Sequence, residues 1–170
     1  MFWAYVLIYV PILLFVVAFL YETYLSFTRL GNHKSSRQGY LSATWEVTHT
    51  FLIFGVVMLL MLYTQVIDQI ADVIFLSTFW AAVALGLRGV LYIYLFYVRK
   101  KPTINWIDWV FAFTHVIAAV LLVITVLRAT WFLFTQNPPL NAQFIPVFLP
   151  GLLIILLITA IPMAVLYKSK

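Results

Sequence analysis

The chain has 170 residues, of which 65% are hydrophobic, 18% aromatic and only 9% charged, with a net charge of +5 and no cysteine. An average soluble domain carries about 25% charged residues, and one of this size still exposes about 30% of its unfolded surface to water, so the bilayer must be the solvent. The basic residues fall at helix ends rather than in a patch, which excludes nucleic acid as a partner, and the lack of cysteine excludes thiol redox chemistry, disulfides and Cys-ligated metal.

A spanning helix takes about 20 mostly apolar residues, and five stretches qualify. The first, Phe2 to Phe27, has no basic segment before it and no small-residue cleavage site after it, so it reads as a retained span and not a signal peptide. Polar, basic Thr28 to Gly39 ends it. The second runs from Tyr40 to Val66 and meets a short acidic break, Asp68 to Asp72. The third, Ala71 to Val98, stops at the basic Arg99 to Pro102. The fourth, Trp106 to Gln136, gives way to Asn137 to Asn141, which holds the Pro138-Pro139 pair that a helix interior does not tolerate. The fifth spans Phe144 to Tyr167. Short loops favour antiparallel neighbours. The expected fold is an all-α membrane protein: an up-down four-helix bundle over 1–136, then a loop and one extra helix over 137–170, in a single transmembrane domain.

Loop charge sets the expected orientation. The first loop holds Arg29, Lys34 and Arg37, the third holds Arg99, Lys100 and Lys101, and the C-terminus holds Lys168 and Lys170. The second has Asp68 and Asp72 with no base, and the fourth has no charge. Positive loops stay inside, which places the first and third loops and the C-terminus in the cytoplasm and the N-terminus outside. Trp3, Trp45, Trp106, Trp109 and Trp131 fall near the expected interfaces, as an aromatic belt does.

Ionisable groups in hydrocarbon are costly, so each asks for a reason. Glu22, Glu46, Asp108, His49, His115, Arg88 and Arg128 lie in or at the spans. At about 1.5 Å of rise per residue, Glu22, Glu46 and Asp108 lie within roughly 10 Å of the cytoplasmic edge, near enough for Glu22 and Asp108 to be hydrated. His49, Arg88 and His115 lie roughly 12–15 Å in. Glu46 and His49, three apart, share a helix face with Thr50 beside them. Gly86 and Gly89 flank Arg88 and suit the close approach of another helix. Arg128 belongs to the outer half and snorkels outward. One reading is a proton path entering from the cytoplasm through Glu46 and His49. Another is an interhelical salt bridge of Arg88 with Glu46 or Glu22 that fixes packing. A third is haem ligation by His49 and His115 from facing helices. No Walker loop, nucleotide fingerprint or metal-spacing motif is present, so a self-contained active site is not expected.

Several stretches resemble subunit II of the cytochrome bd quinol oxidases. Trp45-Glu46-Val47-Thr48-His49-Thr50-Phe51-Leu52-Ile53 is similar to the Trp-Asp…Trp-Leu-Ile stretch of that subunit's second helix. Arg88-Gly89-Val90, with the aromatic run to Arg99-Lys100, resembles its third-helix segment, and Asp108-Trp109-Val110-Phe111 resembles the Trp-Asp-Trp start of its fourth. Phe19-Leu20, Glu22, Thr28-Arg29 and Leu30-Gly31-Asn32 resemble its Asp/Glu-Gly-Phe-Asp…Thr-Arg-Phe-Leu-Gly stretch, and Phe148-Leu149-Pro150-Gly151-Leu152 the start of its fifth helix. The order holds along nearly the whole chain. The departures are a Glu at Glu46 for the usual Asp, a missing Gly-Phe-Asp after Glu22, and Thr48 and His49 in place of amides. The family subunit is also longer, with two four-helix repeats where this chain covers one repeat and one helix more.

The resemblance implies an accessory, non-haem-bearing subunit of a complex in which quinol reduces dioxygen to water at the cytoplasmic (inner) membrane. Haem b, haem d and the quinol site belong to a larger partner subunit, with no cofactor expected in this chain. Trp45 and Glu46 carry over as a proton-entry pair, and Arg88 and Asp108 as buried structural charges near it. A second copy or another small subunit is the expected substitute for the missing repeat. The rival readings are a haem b anchor or electron-transfer subunit using His49 and His115, and a small structural or transport subunit.

Overall fold

The computed structural model describes residues 2–28, 30, 38–99 and 103–168, with side chains throughout except at 38–46, 96, 162–163 and 165–168. Among the described residues five α-helices follow one another: α1 (Phe2–Thr28), α2 (Gln38–Leu62), α3 (Ile67–Ile93), α4 (Trp106–Gln136) and α5 (Ile145–Lys168). No strand occurs among the described residues. The stretches Phe2–Thr28, Thr64–Ile93, Trp106–Gln136 and Ala142–Ile161 are each long and apolar enough to cross a membrane. At 27 residues, α1 is about 40 Å long against a hydrocarbon core of about 30 Å. In α2 the described side chains begin at Val47, and Val47–Leu62 is an apolar helical stretch. The chain is therefore an all-helical, multi-pass membrane protein, with four helices that meet the length and composition of a span among the described residues.

The start of α3 differs from the sequence expectation for a physical reason. The acidic break expected at Asp68 to Asp72 is instead the opening of α3, with Asp68 in its first turn. A carboxylate there meets the positive end of the helix dipole and stabilises the start it was expected to prevent. Only Tyr63 and a 3-10 turn, Thr64–Val66, separate α3 from α2. At its other end α3 widens into a π-helical turn, Tyr94–Val98, and the Arg99 N–H donates to the Tyr94 carbonyl at 3.0 Å. Helix α4 ends on Asn137, whose φ of 41° is left-handed and whose N–H donates to the Leu133 carbonyl at 3.2 Å. Asparagine tolerates that conformation, and Pro138 and Pro139 then cannot continue the helix.

The helices pack as two compact units, between which α1 is divided. One unit takes α1 as far as Ala18, together with α2 and α5. Its core is apolar. Ala4, Leu7, Ile8, Pro11 and Phe15 are buried at spacings of three and four, which is one face of α1. They are joined by Phe51, Met58 and Leu62 of α2 and Leu152 of α5. Gly55 marks a close approach of α2 to α1: a Cβ there would stand 3.0 Å from Ile12 Cγ1 and 3.8 Å from the Ile8 carbonyl oxygen. The Leu62 carbonyl, at the end of α2, accepts the Asn141 N–H at 2.8 Å.

The second unit takes α1 from Phe19, together with α3 and α4. Its seam is small and polar. Helix α3 buries Ile70, Ser77, Ala81, Ala84 and Arg88. Helix α4 buries Asp108, Phe111, Ala112, Thr114, His115, Ala118, Leu122, Ala129 and Leu133. Ile70, Ser77, Ala81, Ala84 and Arg88 on α3, and Ala112, His115, Ala118, Leu122 and Ala129 on α4, recur at spacings of three, four and seven, so the small side chains of each helix lie along one stripe. Gly86 and Gly89 do not take part as the sequence suggested. A Cβ at either position meets nothing within 4 Å. With Arg88 turned inward, the 100° step per residue of a helix carries both glycines away from the seam.

Candidate functional site

The second unit holds a buried polar cluster built from three helices. Phe19 and Glu22 lie three apart on α1 and share a face, as do Phe111 and His115, four apart on α4. Arg88 of α3 enters between them and is 4% exposed, while Glu22 is 2% exposed and His115 is fully buried. Arg88 Nη2 lies 3.1 Å from Glu22 Oε2 and donates to it. Arg88 Nε donates to His115 Nδ1. The guanidinium carbon sits 5.7 Å from the Phe19 ring centroid and 5.6 Å from that of Phe111, within reach of cation–π attraction. The His115 ring stacks on Phe19 at 4.3 Å between centroids, with Phe111 edge-on at 6.4 Å. One arginine thus ties a carboxylate and an imidazole, with an aromatic ring near its cation on two sides.

The direction of the Arg88–His115 bond fixes the state of the imidazole. A guanidinium has donors and no acceptor. Nδ1 of His115 must therefore present its lone pair, and the ring proton sits on Nε2. Glu22 and Arg88 cancel in charge, so a neutral His115 leaves the cluster neutral in a medium where net charge is costly.

A second ion pair closes the turn between α3 and α4. Arg99 Nη1 donates to both carboxylate oxygens of Asp108, each at 2.8 Å. Asp108 Oδ2 also accepts the Asn105 backbone N–H at 2.8 Å, as the third helical residue does in a capping box. The Asp108 side chain is fully buried. The sequence placed both Glu22 and Asp108 near enough to the membrane edge to be hydrated, but both are enclosed by protein. Depth along a helix does not reveal the face on which a residue lies, and both carboxylates face inward.

Of the proposed proton path, Trp45 and Glu46 lie on α2 with side chains outside the described residues. His49 is half-buried next to a fully buried Thr48. His49 belongs to the first unit and His115 to the second. For Arg88 the sequence left Glu46 or Glu22 as the partner, and Glu22 takes that place. Arg128 is exposed on α4. The Arg88–His115 bond was missed, although both residues had been placed at the same depth, which was the signal available for it. Among the described residues no group of three or more His, Asp or Glu side chains could hold a metal ion. No family model matches the chain, and no curated protein and no solved structure matches it either.

Proposed function

We propose that the chain is an accessory, non-haem-bearing subunit of a bd-type quinol oxidase complex that reduces dioxygen to water in the cytoplasmic membrane. In this reading its N-terminus is outside and its C-terminus in the cytoplasm, with Arg29, Lys34, Arg37, Lys100 and Lys101 in the loops held inside. The larger partner carries haem b, haem d and the quinol site. The observation that carries the accessory role is the closed Glu22–Arg88–His115 cluster, whose buried polar groups tie three helices of one unit together. The choice of complex rests on the ordered resemblance from Phe19 to Leu152. Trp45, Glu46 and His49 serve in this reading as the entry of a cytoplasmic proton path to the partner.

The haem b anchor is the rival, and the cluster speaks against it. Iron takes the lone pair of an imidazole nitrogen. At His115 the Nδ1 lone pair is engaged by Arg88 and Nε2 carries the proton.

Purification of the tagged chain from its native membrane tests the proposal. A larger haem-bearing subunit should copurify, and the isolated chain should show no Soret band. Recovery as a stable, haem-free monomer with no partner would sink the reading. A Soret band lost in His49→Ala or His115→Ala would establish the anchor. Glu46→Gln should slow oxygen consumption while leaving the complex assembled, and loss of assembly would assign Glu46 to packing.

A further inference from the structure

We propose that copies of this chain associate head to tail in the membrane through α3 of one copy and α4 of the next, with Asp72 and Arg128 paired across the contact. The two helices run antiparallel within the chain, since Ser77 meets Thr125, Arg88 meets His115 and Arg99 meets Asp108. Asp72 stands eight residues inside the apolar stretch Thr64–Ile93, and Arg128 stands eight residues before the end of Trp106–Gln136. Counted at about 1.5 Å per residue from the Ser77–Thr125 contact, they lie within roughly 3 Å of the same depth. Both side chains are exposed. Neither has a hydrogen bond or ion pair among the described residues.

The two charges stand on different surfaces. On α3, Asp72 shares a face with the exposed Phe79, Val83 and Val90, at spacings of seven, four and seven. That face is turned away from the buried Ser77, Ala81, Ala84 and Arg88. On α4, Arg128 continues the exposed stripe of Phe113, Ile117, Val120 and Ile124. All copies enter a bilayer in one orientation, so a residue of one copy pairs only with a residue of equal depth in another. Asp72 and Arg128 meet that condition and are opposite in charge. Each is costly against hydrocarbon alone, Asp72 above all, since its short side chain cannot reach for water as an arginine does. Setting Asp72 level with Arg128 on antiparallel helices also sets Val83 level with Ile117 and Leu87 level with Phe113. Gly86, where a Cβ would meet nothing within 4 Å, falls between those levels and leaves room for the larger side chains of α4. Because the two stripes differ, the contact is heterologous, and copies close into a ring or run on as a chain. The inference needs only a membrane protein and does not rest on the oxidase reading.

Crosslinking of the full chain in liposomes tests it, and the absence of cysteine gives a clean background. Val83→Cys and Ile117→Cys lie on the two stripes and leave both charges in place. With a short bis-maleimide, co-expressed Val83→Cys and Ile117→Cys chains should give a crosslinked dimer, while either variant alone gives only collisional product. Adding Asp72→Arg to the Val83→Cys chain should cut the dimer by about tenfold or more, because like charges then face each other. Adding Arg128→Asp to the Ile117→Cys chain as well should restore it. The cysteine pair with both charges intact keeps the test decisive if a reversed chain inserts poorly. A dimer from Val83→Cys alone that equals the mixture overturns the proposal, as does a dimer that Asp72→Arg leaves unchanged. A mixture no better than either variant alone leaves both stripes to lipid and overturns it too. So does crosslinking of Val83→Cys, in the native membrane, to a different protein instead of a second copy.

Discussion

Arg88 and Arg99 both meet a buried carboxylate near the end of α3, by opposite routes. Arg99 finds Asp108 nine positions away, across a turn, and the same carboxylate caps the next helix. Arg88 finds Glu22 at a separation of 66 positions and His115 at 27, on two different helices. The first pair decides where a turn closes. The second decides which helix faces meet. A local pair has few wrong partners and a short loop to close, whereas a long-range pair is satisfied only once three helices have packed. Removing one partner should therefore expose very different costs at the two sites.

The largest effect is expected at Arg88. Arg88→Met leaves Glu22 as a buried carboxylate without its cation and should cost about 3–5 kcal/mol. Reversible unfolding in mixed micelles measures it. Glu22→Gln combined with Arg88→Met should recover most of that loss, since a buried pair replaced as a pair is often neutral. A double variant as unstable as Arg88→Met alone would mean that the aromatic contacts, not the ion pair, hold the cluster.

His115 comes next. His115→Leu keeps the volume and removes the acceptor for Arg88 Nε, with an expected cost of about 1–3 kcal/mol for a buried donor left without it. The 15N spectrum of selectively labelled histidine should show His115 protonated at Nε2 and not at Nδ1. The reverse tautomer would contradict the Arg88 bond and reopen haem ligation. Asp108→Ala should cost less, about 1–2 kcal/mol, roughly the value of a lost helix cap. Arg99 stands at the end of a helix, where a long side chain can turn its charge to water. A loss at Asp108 equal to that at Arg88 would erase the distinction between the two pairs.

The same contrast explains what could be read from the chain alone. Five helices follow from counting apolar residues, because the bilayer imposes a length that a sequence must meet, and four of them reach it among the described residues. The start of α3 escaped because Asp68 has two meanings: a polar break in hydropathy and a favourable first-turn residue for a helix. Arg88, Glu22 and His115 were visible as costly residues at countable depths. Their mutual contacts were not, because rise fixes depth while the rotation of each packed helix fixes the facing. Gly86 and Gly89 failed as markers for that reason, and Gly55 opposite Ile12 took the role they were given. The α3–α4 clamp was closer to being legible, since Asn105 and Asp108 already carry the spacing of a capping box.

The smallest predicted effect sharpens the comparison most. Ser77 and Thr125 also join α3 to α4, with the Thr125 hydroxyl donating to Ser77 Oγ at 2.9 Å. Each hydroxyl also lies within hydrogen-bond reach of a carbonyl on its own helix, Ser77 near Ile74 at 3.0 Å and Thr125 near Leu121 at 2.9 Å. Ser77→Ala deletes the tie between the helices, yet Thr125 keeps its carbonyl and nothing buried loses its last partner. The expected cost is about 0.6 kcal/mol, the usual value of such a bond within a membrane protein. Arg88 has no comparable retreat, because its charge must be answered wherever the side chain lies. If Ser77→Ala proved as costly as Arg88→Met, polar contact of any kind would be holding this unit together. A small loss instead assigns the role to charge that the helices cannot satisfy separately.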